Sequence, residues 1–563
     1  MKNIIRSLKL SLIIAAGFLF KAGIINAQAI SPHFFGQNAW MPDSIGKTYY
    51  GGKLHQLWPD IKASNPHFIR FGGIGADREM PTKTQFLKMI DAIRSNGMEP
   101  TLQVPFDKWK FTAQQAADLV KFINITSGRN VKYWSIGNEP DLGYAYTNSS
   151  QVAAYVKAFA TAMKNVDPTI LIMGPETAWF NQNIINGLTT PNGPDDVTGR
   201  DANGRFYLDI ISFHSYGFDG SQNRNQVISK LTQPGGLQDN LIYLNTRVAA
   251  CNTAHGRSGS SKLKTAITEA NIGWQNAPGD NLWGVGASSF IGGQYWAEMM
   301  AVSLKQGVDF VNFWSVQEGG GGANTNIGYI EPSNNNKKPS YYHFKMMADN
   351  FKGNFVNGTT NKTSVKSFGS NNGQQIAVMI LNQDQAAGYN YKVKLNTSAM
   401  TATAALNINI NANVNVEYTD MIQSQSTVLL VFSPSGQLIK KYEYSLNTHA
   451  ANNQPPTMTQ YLATGVAVNN GEESGPEFEI AKAYPNPTQN KIKIQLNKNN
   501  NEEREYGMEV FDMQGRLVME KKANFHKGIE ELDLSSSSLA SAMYIVRVKY
   551  EDILKTTKIM LVK

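Results

Sequence analysis

Between Ser31 and Lys352, short apolar runs alternate with amphipathic stretches, and this alternation constrains the chain more than any other feature. The apolar runs are His33–Gln37, His67–Phe71, Thr101–Pro105, Val131–Ile136, Ile170–Gly174, Leu208–His214, Thr265–Glu269 and Phe310–Val316. Near-continuous apolar runs are buried on both faces, as the strands of a parallel sheet are. Between them lie helical patterns. In Thr82–Asn96, Phe86, Met89, Ile90 and Ile93 recur at i, i+3, i+4 and i+7, and Gly97 is a natural stop. Thr112-Ala113-Gln114-Gln115 opens the next helix with a capping box. Gln151–Asn165, Asp239–Ala254, Ser288–Lys305 and Ser340–Phe351 continue the series. Eight strand–helix units predict a (β/α)8 TIM barrel over residues 30–352. An open doubly wound sheet is the competitor. It would need a Gly-rich phosphate turn after the first strand, and Phe71-Gly72-Gly73-Ile74-Gly75 does not complete G-x-G-x-x-G.

After Lys352 the pattern changes to β-strands and turns. Gln375–Leu381, Tyr389–Leu395, Leu406–Ile410 and Thr427–Phe432 are separated by turn signals such as Asn371-Asn372-Gly373. An all-β sandwich is expected over 353–446. A polar linker follows over 447–477, containing Asn452-Asn453-Gln454-Pro455-Pro456. A small all-β domain completes the chain over 478–563, from Tyr484-Pro485-Asn486-Pro487 to a basic last strand ending at Lys563.

The N-terminus reads as a secretory signal over residues 1–29. Lys2, Arg6 and Lys9 precede an apolar run from Leu10 to Ile25, and Ala27-Gln28-Ala29 is an A-x-A site. The run is short for a membrane span, and no other stretch reaches spanning length, so no membrane segment is expected once the signal is cleaved. Cys251 is the only cysteine, so the exported fold is not disulfide-built; in Val248-Ala249-Ala250-Cys251 it reads as the buried face of a helix. The net charge of +8 comes without a basic run interleaved with aromatics, so nucleic acid is not an expected partner. Neither H-E-x-x-H, C-x-x-C nor a phosphate loop occurs, and no metal or cofactor is expected.

In a barrel of this kind the C-terminal tips of the strands form the active face. Those tips present Arg70, Gln103, Asn138-Glu139, Glu176, His214-Ser215-Tyr216, Glu269, and Trp314 followed by Gln317-Glu318. Glu139 and Glu269 sit on strands three units apart around the ring, so they can converge over the barrel mouth. Paired carboxylates suit glycoside hydrolysis, in which one carboxyl gives a proton to the leaving oxygen and the other stays ionised. Arg70 can hold the ionised one by charge, and Tyr216 by a hydrogen bond. Trp314 offers a flat apolar face to a sugar ring. Glu176 and Glu318 are rivals for either carboxylate role.

Ile136-Gly137-Asn138-Glu139-Pro140 and Ile267-Thr268-Glu269-Ala270, with Arg70, His214-x-Tyr216 and Trp314, resemble the clan A retaining glycoside hydrolases. With Phe68-Ile69-Arg70-Phe71-Gly72-Gly73, the pattern looks most like families 39, 44 and 79. The resemblance implies that Glu139 is the acid/base and Glu269 the nucleophile of a secreted enzyme cleaving a polysaccharide or oligosaccharide by double displacement. It further implies that Asn138 bonds the sugar 2-hydroxyl, that Arg70 and Tyr216 hold Glu269, and that His214 lines the site. The alternative is a non-catalytic cell-surface glycan-binding protein on a barrel scaffold.

Ala483-Tyr484-Pro485-Asn486-Pro487, Phe511-Asp512-Met513-Gln514-Gly515-Arg516, Met543-Tyr544-Ile545-Val546 and the basic tail resemble the type A sorting domain of type IX secretion. Ala542 stands where a glycine is usual. The resemblance implies the type IX machinery as a partner, and a protein released from the cell or attached to its surface.

Overall fold

The computed structural model describes residues 28–39, 54–78, 80–142, 146–318, 325–395, 406–410, 412, 415–461, 478–498, 505–512, 516–524, 528–535, 539–550 and 553–563. Residues 1–27 of the expected signal segment and the second half of the expected linker lie outside these residues. The chain divides into two compact units, one up to Tyr461 and one from Leu462 onward.

Eight parallel strands close into a barrel in chain order. They are β1 (Phe35–Asn38), β2 (Phe68–Phe71), β3 (Glu99–Val104), β4 (Tyr133–Ile136), β5 (Leu171–Thr177), β6 (Ile210–Phe218), β7 (Lys264–Gly273) and β8 (Phe310–Phe313). All eight expected runs become barrel strands. Strand side chains alternate between faces, and here both faces are buried. Ile69, Phe71, Trp134, Ile136, Ile211, Phe213, Val311 and Phe313 belong to the large core that includes the helices. Their neighbours Phe68, Tyr133, Ile210 and Phe310, all on even-numbered strands, form a separate cluster with Met173 and Ala266. Such a layer of side chains from alternate strands fills the interior of a TIM barrel. Two residues further along the same strands come Arg70, Ser135, Ser212 and Asn312, all buried. The barrel is therefore sealed by apolar groups at one level and polar at the next, towards the strands' C-terminal ends.

Local chemistry sets the helix ends. Thr82 and Thr112 each cap a helix with reciprocal bonds to Gln85 and Gln115. Cys251 is buried on the helix Leu237–Ala254.

The sandwich expected after the barrel is one nine-stranded sheet that curls over its own core, in the order β14 (Glu417–Ile422), β12 (Tyr389–Lys394), β13 (Leu406–Ile410), β9 (Asn354–Thr360), β10 (Val365–Asn371), β11 (Ile376–Asn382), β15 (Ser426–Phe432), β16 (Leu438–Ser445) and β17 (Thr457–Gln460). It runs from β9 (Asn354–Thr360) to β17 (Thr457–Gln460). The segment expected to be linker from 447 thus supplies the last strand, which pairs with β16 (Leu438–Ser445). In β11 (Ile376–Asn382), Ile376, Val378 and Ile380 face the sheet's own core. Ala377, Met379 and Leu381 join the barrel's core. Burial on both faces is why this strand reads as an unbroken apolar run. The helix Phe290–Lys305 is buried along almost its whole length, because the sheet covers the side a barrel helix usually shows to water. Gln294 Nε2 donates to Asn382 O at 3.1 Å and to Ser426 O at 3.0 Å. His343, on the helix Pro339–Asn350, meets Thr427 Oγ1 at 2.8 Å, and burial pushes its imidazole down to about 4. Among the described residues no helix is long and apolar enough to cross a membrane.

The second unit has a three-stranded sheet, β18 (Phe478–Tyr484), β19 (Lys491–Lys498) and β22 (Ile529–Asp533), and a four-stranded sheet, β21 (Leu517–Asn524), β20 (Glu505–Phe511), β23 (Ala542–Tyr550) and β24 (Ile553–Leu561). Ile492, Ile494, Met508, Val510, Val546, Val548 and Leu561 form its core.

Candidate active site

Arg70 occupies the polar layer of the barrel interior and organises the groups above it. Its guanidinium is fully buried and ion-paired twice, Nη2 to Glu176 Oε2 at 2.7 Å and Nη1 to Glu269 Oε1 at 2.9 Å. It also donates to Asn38, Gln103 and Asn138, each at 3.0 Å. Strands β1 to β5 and β7 thus converge on one planar cation, whose forked donors suit several acceptors at once. Gln103 passes the network on to Asp77, donating to its Oδ1 at 2.7 Å. Burial lifts the Asp77 carboxyl well above its usual range, against the pull of Gln103 and Arg70.

Both expected carboxylates reach this site. Glu139 follows the β4 tip, where Gly137 and Glu139 itself adopt positive φ of 78° and 47°. A side chain at Gly137 would strike Phe106 at 2.9 Å, so the turn needs its glycine. The Glu139 N–H donates to Glu176 O at 2.8 Å, pinning the β4 tip to β5. On β7, Glu269 accepts from the Tyr216 hydroxyl at its Oε2, at 2.7 Å, while Arg70 holds Oε1. His214 lies between the two: its Nδ1 is 3.1 Å from Glu139 Oε1 and 3.5 Å from Glu269 Oε2. Its Nε2 is 3.4 Å from Glu176. Donor atoms of Glu139, His214 and Glu269 all lie within 4.8 Å of one another.

The electrostatics follow from these contacts. Burial opposes a charge on His214, but Glu269, Glu139 and Glu176 outweigh it and carry the imidazole up to about 10. Both ring nitrogens then donate at neutral pH. Glu176 is buried too, yet Arg70 and His214 hold it below the usual carboxylate range. Burial raises Glu269, while His214, Arg70 and the Tyr216 hydroxyl pull the other way. Three donors in reach of a divalent cation are present, but Arg70 already neutralises Glu269 and a protonated His214 is no ligand. The donor set fits a charge-paired organic site better than a metal centre.

Trp314 closes one side. It follows β8 and lies over Gly73, where an added Cβ would meet its ring at 2.5 Å. Its Nε1 donates to Glu318 Oε2 at 3.1 Å, and burial pushes the Glu318 carboxyl up to about 8. Glu176 sits beneath the pair as Arg70's partner. Asn38 and Asp77 are members of the network that the strand-tip survey did not single out. Asn38 carried no distinguishing signal; Asp77 lies in the short helix that follows the glycine-rich β2 turn.

The solved structures similar to this chain share the barrel and the following sheet. AbfB, a family 51 α-L-arabinofuranosidase from Bifidobacterium longum, superposes with a TM-score of 0.52 at 13% identity, over 72% of this chain and 96% of that one. The GH51 α-L-arabinofuranosidase from Thermotoga petrophila RKU-1 gives 0.52 at 15% identity, over 72% and 98%. No curated protein matches the chain. The fold is therefore that of a glycoside-hydrolase-like barrel with its β module. Residues 482–563 match the secretion system C-terminal sorting domain. The second unit is that sorting domain, which places the protein outside the cell or on its surface by type IX secretion.

Proposed function

We propose that the chain is a retaining glycoside hydrolase acting on a polysaccharide or oligosaccharide, of the clan A type and closest to families 39, 44 and 79. The observation that carries this is the Glu139–His214–Glu269 cluster, with carboxylate oxygens within 4.8 Å at the C-terminal mouth of the barrel. Retaining glycosidases hold their two carboxyl groups about 5–5.5 Å apart, whereas inverting ones leave room for a water between them. Both solved neighbours are named as α-L-arabinofuranosidases, so barrels of this shape carry glycosidase chemistry.

The environments divide the roles. Glu269 receives a guanidinium on one oxygen and a phenol on the other, both of which favour its ionised form, so it is the nucleophile. Glu139 has no contact with Arg70 and its side chain is the more exposed, 16% against 6%, a position that suits the group facing the leaving oxygen, so it is the acid/base. Glu139 protonates the glycosidic oxygen as Glu269 attacks the anomeric carbon, and the leaving group departs as an alcohol. The glycosyl ester on Glu269 is then attacked by water, which loses its proton to Glu139; the hemiacetal leaves with retained configuration and both carboxyls return to their starting states. Asn138, fixed by Arg70, bonds the 2-hydroxyl, and Trp314 stacks on the ring.

Glu269→Gln abolishes turnover of activated aryl glycosides while binding survives, and Glu139→Ala regains part of its activity when azide is supplied, since azide attacks the glycosyl ester without needing a base. Retained turnover in Glu269→Gln sinks the nucleophile assignment. Binding of glycans without release of reducing ends by the unmodified chain favours the non-catalytic glycan-binding alternative.

A further inference from the structure

The catalytic proposal leaves three tryptophans without a role. Trp179, Trp274 and Trp283 are 49%, 54% and 61% exposed. Large aromatics are usually spent on a core, and exposed apolar groups rimmed by polar ones mark ligand-binding grooves. All three follow C-terminal ends of barrel strands: Trp179 comes after β5, and Trp274 and Trp283 after β7. They therefore stand on the same end of the barrel as Glu139 and Glu269.

Their strands lie on one arc of the barrel with the carboxylate pair, since β5 stands between β4 and β7 in the ring order. On the Glu139 side, Asp141 accepts from the Ala178 N–H at 2.8 Å and from Asn181 Nδ2 at 2.9 Å, which fastens the Trp179 turn beside the β4 loop. Trp179 is three residues beyond Glu176, whose carbonyl holds the Glu139 N–H, so at most about 11 Å of chain separates them. On the Glu269 side, β6 and β7 continue pairing past the catalytic level to Phe218 and Gly273. Trp274 is the next residue, about 17 Å along the strand from Glu269.

The charge around the rings narrows the ligand. Residues 137–142, 178–181, 219–223 and 274–289 contain no lysine, arginine or histidine, but include Glu139, Asp141, Asp219 and Asp280. A polyanionic glycan would meet repulsion at these residues. A neutral sugar needs flat apolar faces for its C–H surface and neutral polar groups for its hydroxyls.

We infer that Trp179, Trp274 and Trp283 form an extended binding surface for an uncharged polysaccharide chain, which runs across the barrel mouth beyond the sugar being cleaved. This deepens the hydrolase proposal and rests on it for the position of the cleaved bond.

The test is binding as a function of chain length, with the full chain carrying Glu269→Gln. Neutral oligosaccharides of increasing length, hydroxyethyl cellulose and arabinoxylan are titrated against polygalacturonate and carrageenan. Affinity for at least one neutral series rises with length, and the polyanions bind far more weakly. Adding Trp179→Ala, Trp274→Ala and Trp283→Ala flattens the length dependence, with about two- to tenfold lost per ring. Trp→Phe at the same positions restores part of it, and unchanged thermal melting shows that the variants fold. No gain with length in any neutral series, an unaltered triple variant, or equal binding of the polyanions each overturns the inference. Failure of the hydrolase proposal is read separately, as the absence of reducing ends released by the unmodified chain.

Discussion

Tyr216→Phe tests the electrostatics of the proposed nucleophile with the smallest change of shape. The phenol donates to Glu269 Oε2 at 2.7 Å, and Phe keeps the ring while removing only that donor. A hydrogen bond to a charged group contributes about 1.5–3 kcal/mol, and one pKa unit corresponds to about 1.4 kcal/mol. The bond favours the ionised carboxylate, so its loss raises Glu269 further. Glu269 already lies above the ordinary range because it is buried, so the change adds to an existing displacement in the same direction. The sign is fixed: an ionised nucleophile is required, so activity falls as pH drops through its pKa, and raising that pKa moves the acidic limb to higher pH. The assay is kcat/KM for an activated aryl glycoside across the acidic range, which reports the free enzyme. The unmodified protein should show a limb above that of an ordinary glutamate, and Tyr216→Phe should shift it upward by about one unit or more. A limb that stays in place, or moves down, refutes the assignment of Glu269 as the group that must be ionised.

Arg70→Met should cost about 3–5 kcal/mol in denaturant melts, because it leaves Glu176 and Glu269 buried without their cation; Arg70→Met with Glu176→Gln should recover part of that loss, and equal stability of the two variants would show that Glu176 is not the partner that matters. His343 is held neutral by burial, so protons bind the unfolded chain first: the stability of the first unit should fall as pH drops from 6.5 towards 4, by roughly 3 kcal/mol, and His343→Asn should flatten that slope. Dialysis against a chelator should leave turnover unchanged, since Arg70 and a protonated His214 occupy the electrostatic place a cation would take; loss of activity restored by one divalent metal would reverse this.

The barrel was legible because burial on both faces leaves a mark in one dimension. Phe310-Val311-Asn312-Phe313 is apolar on the outward side and buries Phe310 below Asn312 on the inward side, and the helix starts at Thr82 and Thr112 are written in four residues each. Strands β9, β16 and β17 carry mixed polar sequences, because parts of them face water at the margins of the curled sheet, and periodicity did not single them out. The site was legible where strand tips carry charged or aromatic groups. Its wiring was not. Glu176 follows Gly174-Pro175, which reads as a turn, and its partner Arg70 is three strands away around the barrel, a relation that only closure creates. The exposure of Trp179, Trp274 and Trp283 was equally invisible, since a tryptophan in a loop has the same letter whether it packs inward or stands in water.

The charges at the centre do not balance, and the imbalance bears on the proposed roles. Arg70 and His214 face Glu139, Glu176 and Glu269, so one carboxyl is in excess of the cations. A buried excess charge is costly, and a proton is the cheapest way to remove it. Protonating Glu176 would strip Arg70 of its shortest ion pair, and Arg70 and His214 hold that carboxyl low. Protonating Glu269 would weaken the bonds from Arg70 and Tyr216 together. The Glu139 carboxyl keeps only its contact with His214 and retains some access to water. Under the proposed roles Glu176 acts without touching the sugar: by occupying one edge of Arg70, it leaves Glu139 outside the ion-paired network that holds Glu269.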